Sequence, residues 1–149
     1  MKFNVAIEIE KPVGEVVALF DNVDNLYKWM EGLESFEHLE GTPGEVGARS
    51  RLKFDMNGRK IEMIETITVK DLPREFTGTY EADGVFNIVR NRFEPLGEDR
   101  TLYTSENEFQ FKGFMKIFGW LMPGAFRKQS LKYLEAFKRF AESTENSSA

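Results

Sequence analysis

The side chains able to do chemistry in this chain are few, and strand parity decides which of them can act together, because alternate residues of a strand share a face. In the alternating segment 61–69 one set is Ile61, Met63, Glu65, Ile67 and Val69, with Glu65 the one carboxylate on an otherwise apolar face. In 85–93 the set Val85, Asn87, Val89, Asn91 and Phe93 opposes Phe86, Ile88, Arg90 and Arg92. In 101–111 the set Tyr103, Ser105, Asn107, Phe109 and Phe111 opposes a set carrying Glu106, Glu108 and Gln110. The charged sets belong in water, so the others point inward, joined by Tyr80 from the Phe76, Gly78, Tyr80 and Ala82 face. A wall of amides and phenols with one carboxylate suits a ligand bearing hydroxyl, carbonyl or amine groups, since each buried polar group needs a partner. The same groups can also satisfy one another or hold trapped water, and a one-residue bulge would turn Glu65 to the other face. If Glu65 is buried without a cation, desolvation raises its pKa, which is what a proton-transferring acid requires. Glu65 is therefore the candidate catalytic residue.

Other chemistries are excluded by what is missing. The chain has no cysteine and a single histidine, which removes thiol nucleophiles, disulfides and thiolate or multi-histidine metal sites. No metal or cofactor is expected. His38, flanked by Glu37 and Glu40, reads as a solvated strand edge; no GxSxG elbow accompanies it. The glycine-rich EGTPGEVG at 40–47 lacks the lysine and the strand-to-helix setting of a phosphate loop. The net charge of −5 is uneven: residues 1–111 hold 13 Lys and Arg against 22 Asp and Glu, a balance of −9, whereas 112–149 hold 7 against 3, a balance of +4. An acidic body argues against nucleic acid as a partner. MKFNVAIEIEK lacks the apolar core of a signal peptide, and no run approaches the ~20 apolar residues of a membrane span. The expected location is the cytoplasm, without stable membrane insertion.

The elements that must position these residues alternate between two helical regions. Residues 2–9 read as a half-buried strand, and Pro12 opens a helix with Val16, Val17, Leu19 and Phe20 on its apolar face. A second short helix starts with Asp24 or Asn25 as N-cap and stops at Gly32. Strands follow at 33–40, 48–56, 59–70, 74–82, 85–94 and 100–111, separated by turn signals of which Asn57-Gly58 is the strongest. Sequential hairpins give an antiparallel meander, and strands this long must curl or bulge within a small domain. The final helix, 124–142, carries Phe126, Ser130, Tyr133, Leu134, Phe137 and Phe140 on one side. One helix facing seven strands encloses either a large core or a hollow.

Just before that helix, GFMKIFGWLMP places Phe114, Ile117, Phe118, Trp120, Leu121 and Met122 together. They are expected to fold over the open end of the sheet as lid and portal, with Phe118 and Met122 reaching the ligand beside Phe126, Ser130 and Tyr133. Alternatively they cap a plain core, or form a homodimer patch or a shallow membrane contact flanked by Lys112 and Lys116.

The order strand, two short helices, six antiparallel strands and one long helix resembles the helix-grip fold of the START-like (SRPBCC) superfamily. Within it, the chain is similar to the polyketide cyclase/dehydrase and lipid transport family of small bacterial proteins, on IEKPVGEVVALFDNVDNLYKWM (9–30), RNRFEPLGEDRTLYTSENEF (90–109), and Gly113 before the helix ending LEAFKRFAE (134–142). The resemblance implies an α+β fold: a curved seven-stranded antiparallel sheet wrapped around a long C-terminal helix, with two short helices between strands 1 and 2. One ligand-binding domain is expected over 1–142 and a disordered polar tail over 143–149. The expected ligand is a hydrophobic or amphipathic small molecule, lipid-like or polyketide-like, held between sheet and C-terminal helix by a carrier or sensor. The alternatives are a cyclase or dehydratase acting on a polyketide-like carbonyl substrate through Glu65 and Tyr80 or Tyr103, and a dimeric interaction module.

Overall fold

A computed structural model describes residues 1–117 and 122–144. Seven strands, β1 (Lys2–Ile9), β2 (Leu33–Glu40), β3 (Arg49–Met56), β4 (Arg59–Asp71), β5 (Glu75–Ala82), β6 (Val85–Pro95) and β7 (Thr101–Phe111), form one antiparallel sheet in the order β1-β7-β6-β5-β4-β3-β2. Between β1 and β2 lie α1 (Val13–Phe20), a short 3-10 turn (Val23–Asn25) and α2 (Leu26–Trp29); the long helix α3 (Pro123–Ser143) comes last. The β3–β4 hairpin turns through Asn57 and Gly58, both at positive φ, as a two-residue loop requires. Asn25, one of the two residues expected, is the N-cap position of α2 but makes no side-chain cap there; the side-chain cap belongs to the preceding 3-10 turn, where Asn22 accepts from the Asp24 amide at 3.0 Å. The buried side chain of Asn25 is used elsewhere, its Nδ2 donating to Leu19 O at 3.1 Å.

One bulge changes a face. Between Ile67 and Val69 the β4–β5 register shifts, so that Lys70 rather than Val69 pairs with inward Phe76. Val69, expected on the concave face, is consequently exposed, and the carboxylate of Glu65, on the near side of the bulge, stays inward. The opposite face carries cross-strand ion pairs such as Arg51 with Glu37 and Glu62 and Arg92 with Glu106. These are solvated and contribute little each.

The core lies where α1 and α3 meet the sheet on its β1-β7-β6 side. Val16, Ile9 and Phe137 are fully buried with Val5, Trp29, Phe93, Tyr103, Leu134 and Ala141 around them. Phe20 is the hub: its ring lies 5.0 Å from Phe93, 5.6 Å from Phe76, 5.8 Å from both Tyr103 and Phe137, and 6.0 Å from Trp29. Such pairs contribute about 0.5–1.5 kcal/mol each beyond area burial. The C-terminal end of α3 is tied to β1 and α1 by Lys138 Nζ donating to Glu8 O at 2.6 Å, the Glu10 amide donating to Glu142 Oε2 at 2.8 Å, and Lys11 Nζ donating to Thr144 O at 2.8 Å.

Candidate ligand-binding site

Phe20 also marks the boundary between packed core and open space. On its far side a cavity of about 370 Å³ lies between the α1–α2 segment and strands β2 to β5. Its walls are apolar: Phe20, Leu26, Trp29 and Met30 come from the helical segment, and Phe36, Ile67 and Phe76 from the sheet.

Across this wall runs a row of polar side chains set by strand register. His38 pairs with Ser50, Ser50 with Glu65, Glu65 with Tyr80, and Tyr80 with Asn87. Paired residues share a face and stand about 5 Å apart, so four strands contribute one side chain each to the same cavity; His38, Ser50, Glu65 and Tyr80 all line it. The Tyr80 hydroxyl donates to Glu65 Oε2 at 2.8 Å. Glu65 is 8% exposed, and its burial pushes its carboxyl above the ordinary range, with the Tyr80 hydrogen bond holding it back. Burial, and then the neighbouring Glu65, push the Tyr80 phenol well up. His38 Nε2–H donates to Gly41 O at 2.7 Å, which leaves Nδ1 as an acceptor in the neutral ring. His38 is exposed on the edge strand β2, as its acidic neighbours indicate, and from there it also borders the cavity.

The mouth is fastened by the inward-turned Lys70. Its ammonium donates to Gly44 O at 2.8 Å and lies 3.4 Å from Asp21 and 3.6 Å from Glu45. Asp21 and Gly44 both border the cavity, so Lys70 joins the β2–β3 loop to the end of α1.

The other residues expected to meet a ligand are placed differently. Asn91 accepts from the Tyr103 hydroxyl at 2.9 Å, and Asn107 Nδ2 donates to Ser105 Oγ at 3.1 Å, so these four buried side chains satisfy one another. Burial alone pushes the Tyr103 phenol up. Asn87 Nδ2 donates to Glu108 O at 3.2 Å. Phe126 packs on Phe109 and Phe111 at 5.0 and 5.2 Å. Met63, Val89, Ser130 and Tyr133 are half-buried, and Met122 is exposed. None of these residues lines the cavity beside Glu65 and Tyr80. This cavity lies under α1 and α2, whereas the sequence pattern pointed beneath the C-terminal helix, whose Phe137 is core. Phe118, Trp120 and Leu121 lie outside the described residues, and Phe114, Ile117 and Met122 of the same stretch are exposed, with Phe114 at 78%.

Among the described residues no cluster of His, Asp and Glu could hold a metal ion, and no helix is long and apolar enough to cross a membrane.

A curved antiparallel sheet with a long last helix and short helices after the first strand is the START/Bet v1-like ligand-binding fold. The chain belongs to the family described as "Polyketide cyclase / dehydrase and lipid transport", whose model matches residues 1–142. Among solved structures it is similar to the Zhui aromatase/cyclase from Streptomyces sp. R1128, with a TM-score of 0.82 at 16% identity over 100% of this chain and 98% of that one. Norcoclaurine synthase from Thalictrum flavum, in complex with dopamine and hydroxybenzaldehyde, gives a TM-score of 0.72 at 17% identity over 98% of this chain and 89% of that one. Ara h 8.0201 gives 0.75 at 14% identity, covering 97% and 99%. At these identities the likeness shows the fold. No curated protein matches the chain in sequence.

Proposed function

We propose that the protein binds a hydrophobic or amphipathic small molecule in the cavity under α1 and α2, as a carrier or sensor, residues 1–142 acting as one domain in the cytoplasm. The observation that carries this reading is the buried Glu65–Tyr80 pair on a largely apolar wall that borders a cavity of about 370 Å³. Close packing is the rule in protein interiors, and a hollow lined by apolar side chains forfeits contacts that a bound molecule restores. The volume falls within the range of small-molecule pockets. Titration with the neutral dye N-phenylnaphthylamine tests it: saturable, blue-shifted emission is expected, lost in Ala48→Phe, because Ala48 is buried and lines the cavity. An absence of saturable binding, or binding indifferent to Ala48→Phe, overturns the reading.

The Tyr80–Glu65 hydrogen bond favours a second reading, a cyclase or dehydratase-type enzyme acting on a polyketide-like carbonyl substrate. Glu65, held partly protonated by burial, would move the proton, and Tyr80 would polarise the carbonyl. Tyr103, already committed to Asn91 and away from the cavity, does not serve this role. Loss of turnover with retained binding in Glu65→Gln separates enzyme from carrier. The exposure of Phe114, Ile117 and Met122 supports a homodimer contact as a further reading, and sedimentation of Phe114→Ser against the unmodified chain tests it.

A further inference from the structure

The charge and ring content of the cavity narrow its ligand. Five aromatic rings, those of Phe20, Trp29, Phe36, Phe76 and Tyr80, surround the space, with two carboxylates, Glu65 and Asp21. Among the described residues the lining includes no Lys and no Arg. Asp21 is exposed at the mouth and already faces Lys70. The buried Glu65 carboxylate is met by the Tyr80 phenol, a neutral donor, and among the described residues no ammonium or guanidinium lies within salt-bridge distance of it. A carboxylate in this setting has had its hydration removed on folding and has received one hydrogen bond in return.

A ligand with its own carboxylate or phosphate would add a second negative charge beside Glu65, while the cation at the mouth, Lys70, already faces Asp21 and Glu45. A neutral ligand would leave Glu65 as it is. An ammonium supplies the missing charge, and the aromatic faces around it are the surfaces that attract organic cations. The −9 balance of residues 1–111 gives the body a field that concentrates cations and repels anions. We propose that the ligand of this cavity is a hydrophobic amine, bound as its ammonium with the charge against Glu65 and the apolar remainder among the aromatic walls. The inference rests on the cavity being the binding site.

The test is calorimetric titration at pH 8 with three probes that share an indole and differ in one end group: tryptamine, tryptophol and indoleacetate. Tryptamine is expected to bind about tenfold or more tighter than tryptophol, a difference of about 1.4 kcal/mol, and indoleacetate weakest. Glu65→Gln is expected to bring tryptamine down to the affinity of tryptophol, with an unchanged far-UV circular dichroism spectrum reporting that the variant is folded. Ala48→Phe is expected to abolish binding of all three. Tryptophol binding as tightly as tryptamine, or Glu65→Gln weakening both equally, overturns the amine assignment and leaves the binding cavity standing. Failure of all three to bind, or binding that survives Ala48→Phe, overturns the cavity reading and this inference with it.

Discussion

Tyr80→Phe probes a buried polar contact on the cavity wall. The hydroxyl donates to Glu65 Oε2 at 2.8 Å, and removing it leaves a buried carboxylate oxygen without that donor. A hydrogen bond to a charged group contributes about 1.5–3 kcal/mol, and one between neutral groups about 0.5–1.5 kcal/mol. Glu65 titrates above its ordinary value because of burial, and the Tyr80 bond pulls it back down. A carboxyl whose folded pKa lies above its unfolded one contributes stability that is fully present below the unfolded value and is lost as pH rises through the folded value. Deleting Tyr80's hydroxyl raises the folded pKa further and deepens that loss. The penalty of Tyr80→Phe should therefore grow from about 1 kcal/mol at pH 4, with Glu65 protonated, to about 2 kcal/mol at pH 8. For a chain of 149 residues these correspond to shifts in Tm of about 2–4 °C and about 4–8 °C. The other titratable groups on the lining, His38 and Asp21, are shared by both proteins and cancel in the difference. Urea denaturation of the wild type, both single variants and the Tyr80→Phe/Glu65→Gln double variant at the two pH values gives the cycle. In the Glu65→Gln background the Tyr80→Phe penalty should stay near 1 kcal/mol at both. An equal penalty at pH 4 and pH 8 in the wild-type background, or the same pH dependence with Glu65 removed, refutes the reasoning.

Phe137→Ala should cost about 3–5 kcal/mol in urea denaturation, because the ring is fully buried with Trp29 at 5.0 Å and Tyr103 at 5.6 Å; a loss below about 1 kcal/mol would mean that this side of the sheet is not closed core. Lys70→Ala should cost about 0.5–1 kcal/mol in dilute salt and less at high salt, with faster amide exchange at Gly47, since Lys70 ties Gly44 and Asp21 together at the mouth. Unchanged exchange there would show that the ammonium does not hold the loop. Gly32→Ala should destabilise more than Gly58→Ala. Both glycines have positive φ, a strain of about 1–2 kcal/mol for alanine, but a Cβ at Gly32 also meets Asp55 O at 2.8 Å whereas Gly58 faces open space. Equal thermal shifts would show that the backbone near Asp55 yields freely.

Period-two alternation was enough to place the strands, to predict the Asn57-Gly58 turn, and to put Glu65, Tyr80, Asn91, Tyr103 and Asn107 on one face, because parity is a local property of the chain. Parity does not say which part of that face is covered. Asn91 and Tyr103 lie under the α1 and α3 core, and Glu65 and Tyr80 lie under a gap, a difference set by where Phe20 and Phe137 come to rest in three dimensions. The bulge after Ile67, which exposes Val69 and turns Lys70 to the mouth, has no glycine or proline in β4 itself to announce it; the glycine there is Gly78, across the ladder from Ile67. The exposure of His38 on a strand edge was legible from its acidic neighbours, whereas its place beside the cavity depends on a register that two bulges in β2 obscure.

The most direct test of the binding cavity is native mass spectrometry of the protein purified gently from its own host, compared with Ala48→Phe from the same host and with Ser130→Leu, which changes α3 away from the cavity. The account predicts one discrete adduct on the wild type, retained by Ser130→Leu and absent from Ala48→Phe. An adduct that Ala48→Phe keeps and Ser130→Leu loses would place the ligand beneath α3 and contradict it.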